Sequence, residues 1–316
     1  MPADQTFAIA SRRSPLALAQ ARLVQEMIAR AAGLKASAAP IRDYVSSGDR
    51  NLSGSLAEIG GKGLFTKEIE DALLSGDARF AVHSMKDMPP VSPPGLVTAA
   101  IPAREDPRDV FISSVAASPW DLPQGARVGT ASVRRAAQLL SRRPDLKTAP
   151  LRGNVGTRLE KLERGDADAT FLALAGLKRL GMEGHATSMM SPDEMLPAAG
   201  QGALCVQTRE DDAEARAIAA SFNCSKTSIC VAMERAFLAG LDGSCRTPIA
   251  TLAVVVGGEV RFRGELLSLD GAQVFRASRI LPYTDQCAEQ AVASGRKAAA
   301  DIRAQAGDEF FRVLGA

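Results

Sequence analysis

The stretch Ser75-Gly76-Asp77-Ala78-Arg79-Phe80-Ala81-Val82-His83-Ser84-Met85-Lys86-Asp87-Met88-Pro89-Pro90 decides how this chain folds. Ser75-Gly76 closes a helix, Phe80-Ala81-Val82 reads as a short apolar strand, and Pro89-Pro90 halts it because proline brings no N–H to a ladder. An adjacent Lys–Asp pair at the mouth of a buried strand is costly, since buried charges persist only when paired or used. Open α/β sheets also bind ligands at the carboxyl ends of their strands. Asp87 is therefore the first residue expected to do chemistry. His83 could form a proton relay with it, but without a second histidine nearby it reads as a hydrogen-bonded structural residue.

Working outward, the same grammar recurs. On the N-terminal side lie a strand at Phe7–Ala10, a turn at Ser11-Arg12-Arg13-Ser14-Pro15 and a helix to about Ala31, with Ser14 as N-cap and Pro15 at the first helical position. A second strand is expected near Ala39–Val45, then the loop Gly60-Gly61-Lys62-Gly63 and a helix Phe65–Leu74. Later, strand Ala126-Arg127-Val128 leads into Gly129-Thr130-Ala131-Ser132-Val133-Arg134-Arg135 and a helix to about Ser141. Leu151-Arg152-Gly153-Asn154-Val155-Gly156 turns into helix Thr157–Glu163, and strand Ala169–Leu174 runs on to Gly176-Leu177-Lys178-Arg179. Gly76-Asp77-Ala78 and Gly165-Asp166-Ala167 both precede an apolar strand. Two similar α/β domains follow, joined through Ala103-Arg104-Glu105-Asp106-Pro107-Arg108-Asp109 and again near Pro197–Gly202.

From about residue 223 the texture changes. Helix Lys226–Ala239 precedes Gly243-Ser244-Cys245-Arg246, then β-rich runs Ile249–Val256, Glu259–Leu267 and Gln273–Ile280 are separated by Gly257-Gly258 and Asp270-Gly271. An amphipathic helix spans about Thr284–Gln305. The expected fold class is α/β: two α/β domains plus a small C-terminal α+β domain with a three-stranded antiparallel sheet. The domains are set at residues 1–102 with 203–221, 103–202, and 222–316.

A chain of 316 residues is long enough for two or three domains. Its charged fraction of 23% and net charge of +2 argue against nucleic acid as the main partner. No run of roughly 18 apolar residues suggests a membrane span, and Met1–Gln5 lacks a secretory n-region. Five cysteines without C-x-x-C spacing, with two histidines, suit a reducing compartment and offer no metal site. A cytoplasmic protein is expected.

Ser11-Arg12-Arg13-Ser14 and Thr130–Arg135 place hydroxyls, backbone N–H groups and arginines at helix N-termini. Cations there oppose the helix dipole unless an anion sits nearby, so each motif is either a carboxylate or phosphate cradle or a cap with solvated arginines. Arg152, Arg158, Lys178 and Arg179 extend the series toward a ligand with several anionic groups. Gly60-Gly61-Lys62-Gly63 lacks the leading glycine and trailing hydroxyl of a P-loop and reads as a lysine-bearing loop or a solvated turn. Cys245 beside Arg246 is either a nucleophile favoured as thiolate or a small packed hydrophobe.

Taken in order, Ser11-Arg12-x-Ser14-Pro15-Leu16-Ala17, Gly61-Lys62-Gly63-Leu64-Phe65, His83–Asp87, Arg104-Glu105-Asp106-Pro107-Arg108-Asp109, Gly129-Thr130-x-Ser132-x-Arg134-Arg135, Leu151–Arg158, Gly200-Gln201-Gly202 and Gly243-x-Cys245 closely resemble the porphobilinogen deaminase (hydroxymethylbilane synthase) family over nearly the whole chain. The resemblance implies that the first two domains are like the lobes of type II periplasmic binding proteins. It implies a dipyrromethane cofactor in thioether linkage to Cys245 and Asp87 as catalytic acid. Cofactor contacts fall on Ser84, Lys86, Thr130, Ser132, Arg134, Arg135 and Arg158. Substrate contacts fall on Arg12, Ser14, Gln20, Lys62, Arg152, Asn154, Arg179 and Gln201.

The implied reaction condenses four porphobilinogen molecules head to tail. Ammonia leaves, an electrophilic azafulvene forms beside Asp87, and the terminal pyrrole α-carbon attacks it. Water finally releases the linear tetrapyrrole. A monomer that hands its product to the next enzyme is the partner expectation, with no nucleic acid and no membrane. Ala131, Ser46 and Ser244 depart from the family pattern without removing a charge. Two competing readings remain: an anion-binding protein, which would not need Cys245, and a regulator's ligand-sensing domain, which would need a helix-turn-helix.

Overall fold

The computed structural model describes residues 7–45, 66–89, 91–243 and 247–314. The chain separates into two compact units, Met1–Glu105 with Ala203–Ser228, and Asp106–Gly202 with Ile229–Ala316.

In the first unit, strand β1 (Ile9–Arg12) leads to helix α1 (Pro15–Ala32). Ser14 caps that helix by accepting from the Ala17 amide at 3.3 Å, and Gly33 ends it in the left-handed region at φ 67°, which a side chain would resist. Ala17, Gln20, Ala21, Val24 and Ile28 form the buried stripe. Strand β2 (Ile41–Tyr44), helix α2 (Lys67–Leu74), strand β3 (Phe80–Ser84) and strand β4 (Leu96–Ala100) follow. The sheet is completed by β10 (Leu204–Arg209), inserted between β3 and β4 and antiparallel to both. Its order is β2-β1-β3-β10-β4.

The second unit repeats this plan with β5 (Asp109–Ser113), β6 (Arg127–Gly129), β7 (Lys147–Ala149), β8 (Ala169–Ala173) and β9 (Ser188–Met189), ordered β7-β6-β8-β5-β9. Here β5 is the antiparallel insert. Each sheet thus takes its fourth-position strand from just after a chain crossing; the first sheet is discontinuous in sequence, whereas the second is built from the consecutive strands β5–β9. Helices α3 (Val133–Leu140), α4 (Val155–Glu163) and α5 (Leu174–Leu180) belong to this sheet. After helix α6 (Ala213–Ala220) of the first unit comes α7 (Ser225–Gly240), whose first residues still belong to that unit.

Strands β11 (Ile249–Val256), β12 (Glu259–Leu267) and β13 (Val274–Pro282) form the antiparallel C-terminal sheet, backed by α8 (Ala288–Leu314), which breaks at Gly307. Gly264 on β12 has no room for a side chain, since a Cβ would come 2.5 Å from the Phe237 ring. The expected α/β class and the three-stranded α+β region are therefore present.

Boundaries moved by a few residues: β1 begins at Ile9 rather than Phe7, and α8 at Ala288 rather than Thr284. Strands β4, β5, β7, β9 and β10 and helices α5 and α6 are not among the elements expected from the sequence. Lys178 and Arg179 lie inside α5, because Leu174-Ala175-Gly176-Leu177 continues the apolar run of β8 and periodicity does not separate a buried strand from a short buried helix. Among the described residues no helix is long and apolar enough to cross a membrane.

Candidate active site

Two groups of polar residues gather at the strand ends, one in each unit. In the first, β3 ends at Ser84 and the chain enters a single 3-10 turn, Met85–Asp87, with the Met85 amide donating to the Ala203 carbonyl at 3.0 Å. Met85 is buried, while Lys86 and Asp87 are exposed. This corrects the sequence expectation: the pair stands past the strand, in solvent, and carries no burial penalty. What holds it in place is the packing of Met85 and the polar grip on Ser84. Gln20 of α1 donates to Ser84 Oγ at 2.9 Å, and Ser84 Oγ–H can donate back at 3.2 Å. Arg12, Ala17, Gln20, Thr66, Val82, His83, Ser84 and Asp87 line one cavity of about 20 Å³. Of the residues expected here, Arg12, Gln20, Ser84 and Asp87 are brought together. Ser14 spends its hydroxyl on the α1 cap. Lys62 and Cys245 lie outside the described residues.

In the second unit, Ser132 caps α3 and accepts from the Arg135 amide at 3.4 Å, while Thr130 Oγ1 accepts from the Ser132 amide at 3.1 Å. These caps fix the first turn of α3, so Arg134 and Arg135 leave it in set directions. Both are 5% exposed. Arg134 Nη2 and Arg135 Nη2 each lie 2.7 Å from a different oxygen of Asp109, a fully buried residue at the start of β5. Gln201 Nε2 donates to the same carboxylate at 2.9 Å and to the Pro107 carbonyl at 2.7 Å. Arg135 also donates to the Phe171 carbonyl at 2.8 Å, and Arg134 to that of Leu196.

Two guanidiniums against one carboxylate leave this buried cluster with a positive surplus. Burial alone would raise the Asp109 carboxyl, and the charges of Arg134 and Arg135 overcome that, holding it well below the usual carboxylate range. Burial likewise weakens the hold of Arg134 on its proton; Asp109 opposes this, and the like charge of Arg135 adds to it. The Nε–H groups of Arg134 and Arg135 are buried with no hydrogen-bond partner among the described residues. Two fixed guanidiniums that outnumber their carboxylate favour an anionic, carboxylate-bearing ligand nearby.

Of the remaining arginines in this unit, Arg158 and Arg179 are held by backbone carbonyls. Asn154 caps α4, accepting from the Thr157 amide at 2.9 Å. Gly153, at φ 121°, leaves no space for a Cβ, which would fall 2.7 Å from Thr157 Cγ2. Arg158 Nε donates to the Gly153 carbonyl at 2.8 Å, and the Arg152 carbonyl accepts from Lys161 at 3.0 Å. Arg179 donates to the Gly202 carbonyl at 2.7 Å. Arg152, Arg158 and Arg179 are all half-buried. Asp109 was missed as a site residue because its motif read as a hinge. An acid standing directly before the apolar run Val110-Phe111-Ile112 was the available signal.

Residues 7–217 match the family described as porphobilinogen deaminase, dipyromethane cofactor binding domain, and residues 228–304 match the C-terminal domain of porphobilinogen deaminase. The chain belongs to the porphobilinogen deaminase family. It is 50% identical over 312 residues to porphobilinogen deaminase of Paracoccus denitrificans, covering 98% of both chains. It is 52% identical over 311 residues to that of Caulobacter vibrioides, covering 95% of this chain and 96% of the other. Porphobilinogen deaminases are transferases, also called hydroxymethylbilane synthases, and the larger matched segment is the one that binds the dipyrromethane cofactor.

Proposed function

We propose that this chain condenses four porphobilinogen molecules onto a dipyrromethane primer bound through Cys245 and releases the linear tetrapyrrole by hydrolysis, with Asp87 as the catalytic carboxylate. The observation that carries this reading is the buried, surplus-positive cluster of Arg134 and Arg135 on Asp109, with its two orphaned Nε–H donors. When bound, the dipyrromethane supplies the free pyrrole α-carbon on which the chain grows. Arg134 and Arg135 hold its carboxylates, aided by the Thr130 and Ser132 hydroxyls, Ser84, Lys86 and Arg158. Arg12, Ser14, Gln20, Lys62, Arg152, Asn154, Arg179 and Gln201 hold those of the incoming substrate and the growing chain.

Asp87 lies exposed at the end of β3 beside Arg12 and Ser84 in one cavity lining, so a substrate can reach its carboxylate. As ammonia leaves porphobilinogen, positive charge spreads onto the pyrrole N–H, and a fixed carboxylate beside that N–H lowers the barrier electrostatically. A carboxylate oxygen of Asp87 can then take the proton released from the attacked α-carbon. Lys86, next in sequence, offers an ammonium to a substrate carboxylate.

We also divide the chain at residues 1–102 with 203–221, 103–202 and 222–316. The three separate sheets, each with its own apolar core, support that division. The protein is placed in the cytoplasm, as a monomer that passes its product to the next enzyme of the pathway. The odd cysteine count without paired spacing supports the reducing compartment.

Intact-protein mass spectrometry of freshly purified material tests the central claim. The expected result is an adduct equal to two porphobilinogen units less their ammonia, mapping to Cys245. Active protein with an unmodified Cys245 would sink the covalent assignment.

A further inference from the structure

Strand β3 is gripped from both of its faces just before Asp87. On one face Gln20 of α1 bonds Ser84. On the other stands His83, 5% exposed, whose side chain lies on the same side of the sheet as that of Gln207, because the antiparallel register pairs His83 with Cys205 and Ala81 with Gln207. Gln207 is fully buried and donates its amide to Glu70 Oε1 at 3.3 Å. The other oxygen of Glu70 accepts from Thr66 Oγ1–H at 3.1 Å. Glu70 is 6% exposed, and among the described residues both of its hydrogen-bond partners are neutral.

The result is a buried polar chain, Thr66–Glu70–Gln207–His83, whose two ends, Thr66 and His83, both line the cavity that holds Asp87. It is incompletely satisfied. His83 Nε2 and Gln207 Oε1 are buried and neither reaches a well-formed hydrogen bond, although the Gln207 side chain lies beside the imidazole. Apolar residues at Glu70 and Gln207 would fill this face of the sheet without the orphaned Gln207 Oε1 and without a carboxylate among neutral partners. A fold that keeps such a chain directly behind a reacting group uses it.

We propose that Glu70, Gln207 and His83 are positioning residues for the Asp87 reaction, setting the back wall of its cavity and the direction in which β3 delivers the Met85–Asp87 turn. This rests on the reading of Asp87 given above. It predicts a separation that a purely structural role would not give: making the chain apolar leaves the protein as stable as before, or more so, while slowing turnover.

The test is the double replacement Glu70→Met with Gln207→Met, nearly isosteric and removing donor and acceptor together, assayed as holoenzyme beside the unaltered protein. The expected result is kcat lower by about tenfold, KM within about twofold, an unchanged cofactor mass and an unchanged or higher Tm. Glu70→Gln, which keeps shape and one acceptor, is expected to show the same split at smaller size, and it serves as the test if the double replacement does not fold. An unchanged kcat in the folded variant overturns the proposal, as does a kcat loss that only tracks a fall in Tm. If the unaltered protein fails to convert porphobilinogen, it is the functional reading that fails.

Discussion

The two five-stranded sheets share one plan, each with an antiparallel strand in fourth position, the last in sequence in the first sheet and the first in sequence in the second, yet they end in different electrostatics. At the edge of the first, the acid is exposed: Asp87 sits on a one-turn helix past β3, with Arg12 and neutral hydrogen-bonding side chains around its cavity. At the edge of the second, the acid is fully buried: Asp109 opens β5 under two guanidiniums that outnumber it. An exposed carboxylate can approach a substrate, change its contacts and move protons. A buried one clamped by two arginines can do none of these, but it fixes both cations in place before any ligand arrives. One framework therefore presents an exposed carboxylate in one unit and two fixed cations in the other, according to which charge is left in surplus.

The largest test of that contrast is Asp87→Ala. Folding and thermal stability should be retained, because the side chain is exposed, while turnover drops by about 10²–10⁴-fold, the usual worth of a positioned acid–base group. Near-normal turnover in steady-state assays would remove Asp87 from the reactive role and dissolve the contrast.

Asp109→Asn asks the opposite question. It strands two buried guanidiniums, so denaturant unfolding should show a loss of about 3–5 kcal/mol. Arg134→Met removes the surplus instead, leaving Arg135 and Asp109 as a balanced pair. It should cost clearly less stability than Asp109→Asn, yet lower the fraction of protein carrying the cofactor adduct. Equal destabilisation by both, with full adduct in Arg134→Met, would mean the arginines serve the fold alone.

The smallest expected effect concerns His83. Burial, against the favourable neighbouring Gln207 and with the repulsion of Arg12, lowers its pKa from 6.5 to about 4. Between those values the unfolded chain binds a proton that the folded one refuses, so its contribution is intact above about pH 6.5 and is lost as pH falls toward 4. Acidification from pH 7 to pH 5 should remove about 2 kcal/mol through this residue. Urea unfolding at both pH values would show that increment missing from His83→Gln; an identical pH dependence in the variant would refute a buried neutral imidazole.

Much of this was legible without coordinates. Ser14-Pro15 and Ser132 announced helix starts through local hydrogen bonds alone, and Gly257-Gly258 announced a hairpin because both take positive φ, 61° and 78°. The Lys86–Asp87 pair was found for a reason that proved wrong, since burial does not apply to it, although its position at a strand end was right. Asp109, Glu70 and Gln207 were not found. Asp109 and Glu70 sit among other charged residues and Gln207 beside Thr208-Arg209, so none stands out locally, and nothing in the neighbouring sequence reveals that Glu70 and Gln207, 137 positions apart, share a hydrogen bond.

By itself the sequence determined the class of the fold, the order of its motifs and the family, because caps, turns and short motifs are set by neighbours along the chain. Only the tertiary structure decided which charges are spent on each other and which are left over. That choice depends on desolvation and on partners supplied by distant strands: β5 brings Asp109 to Arg134 and Arg135, and β10 brings Gln207 to His83 and Glu70. No reading of residue types along a line can sum those terms.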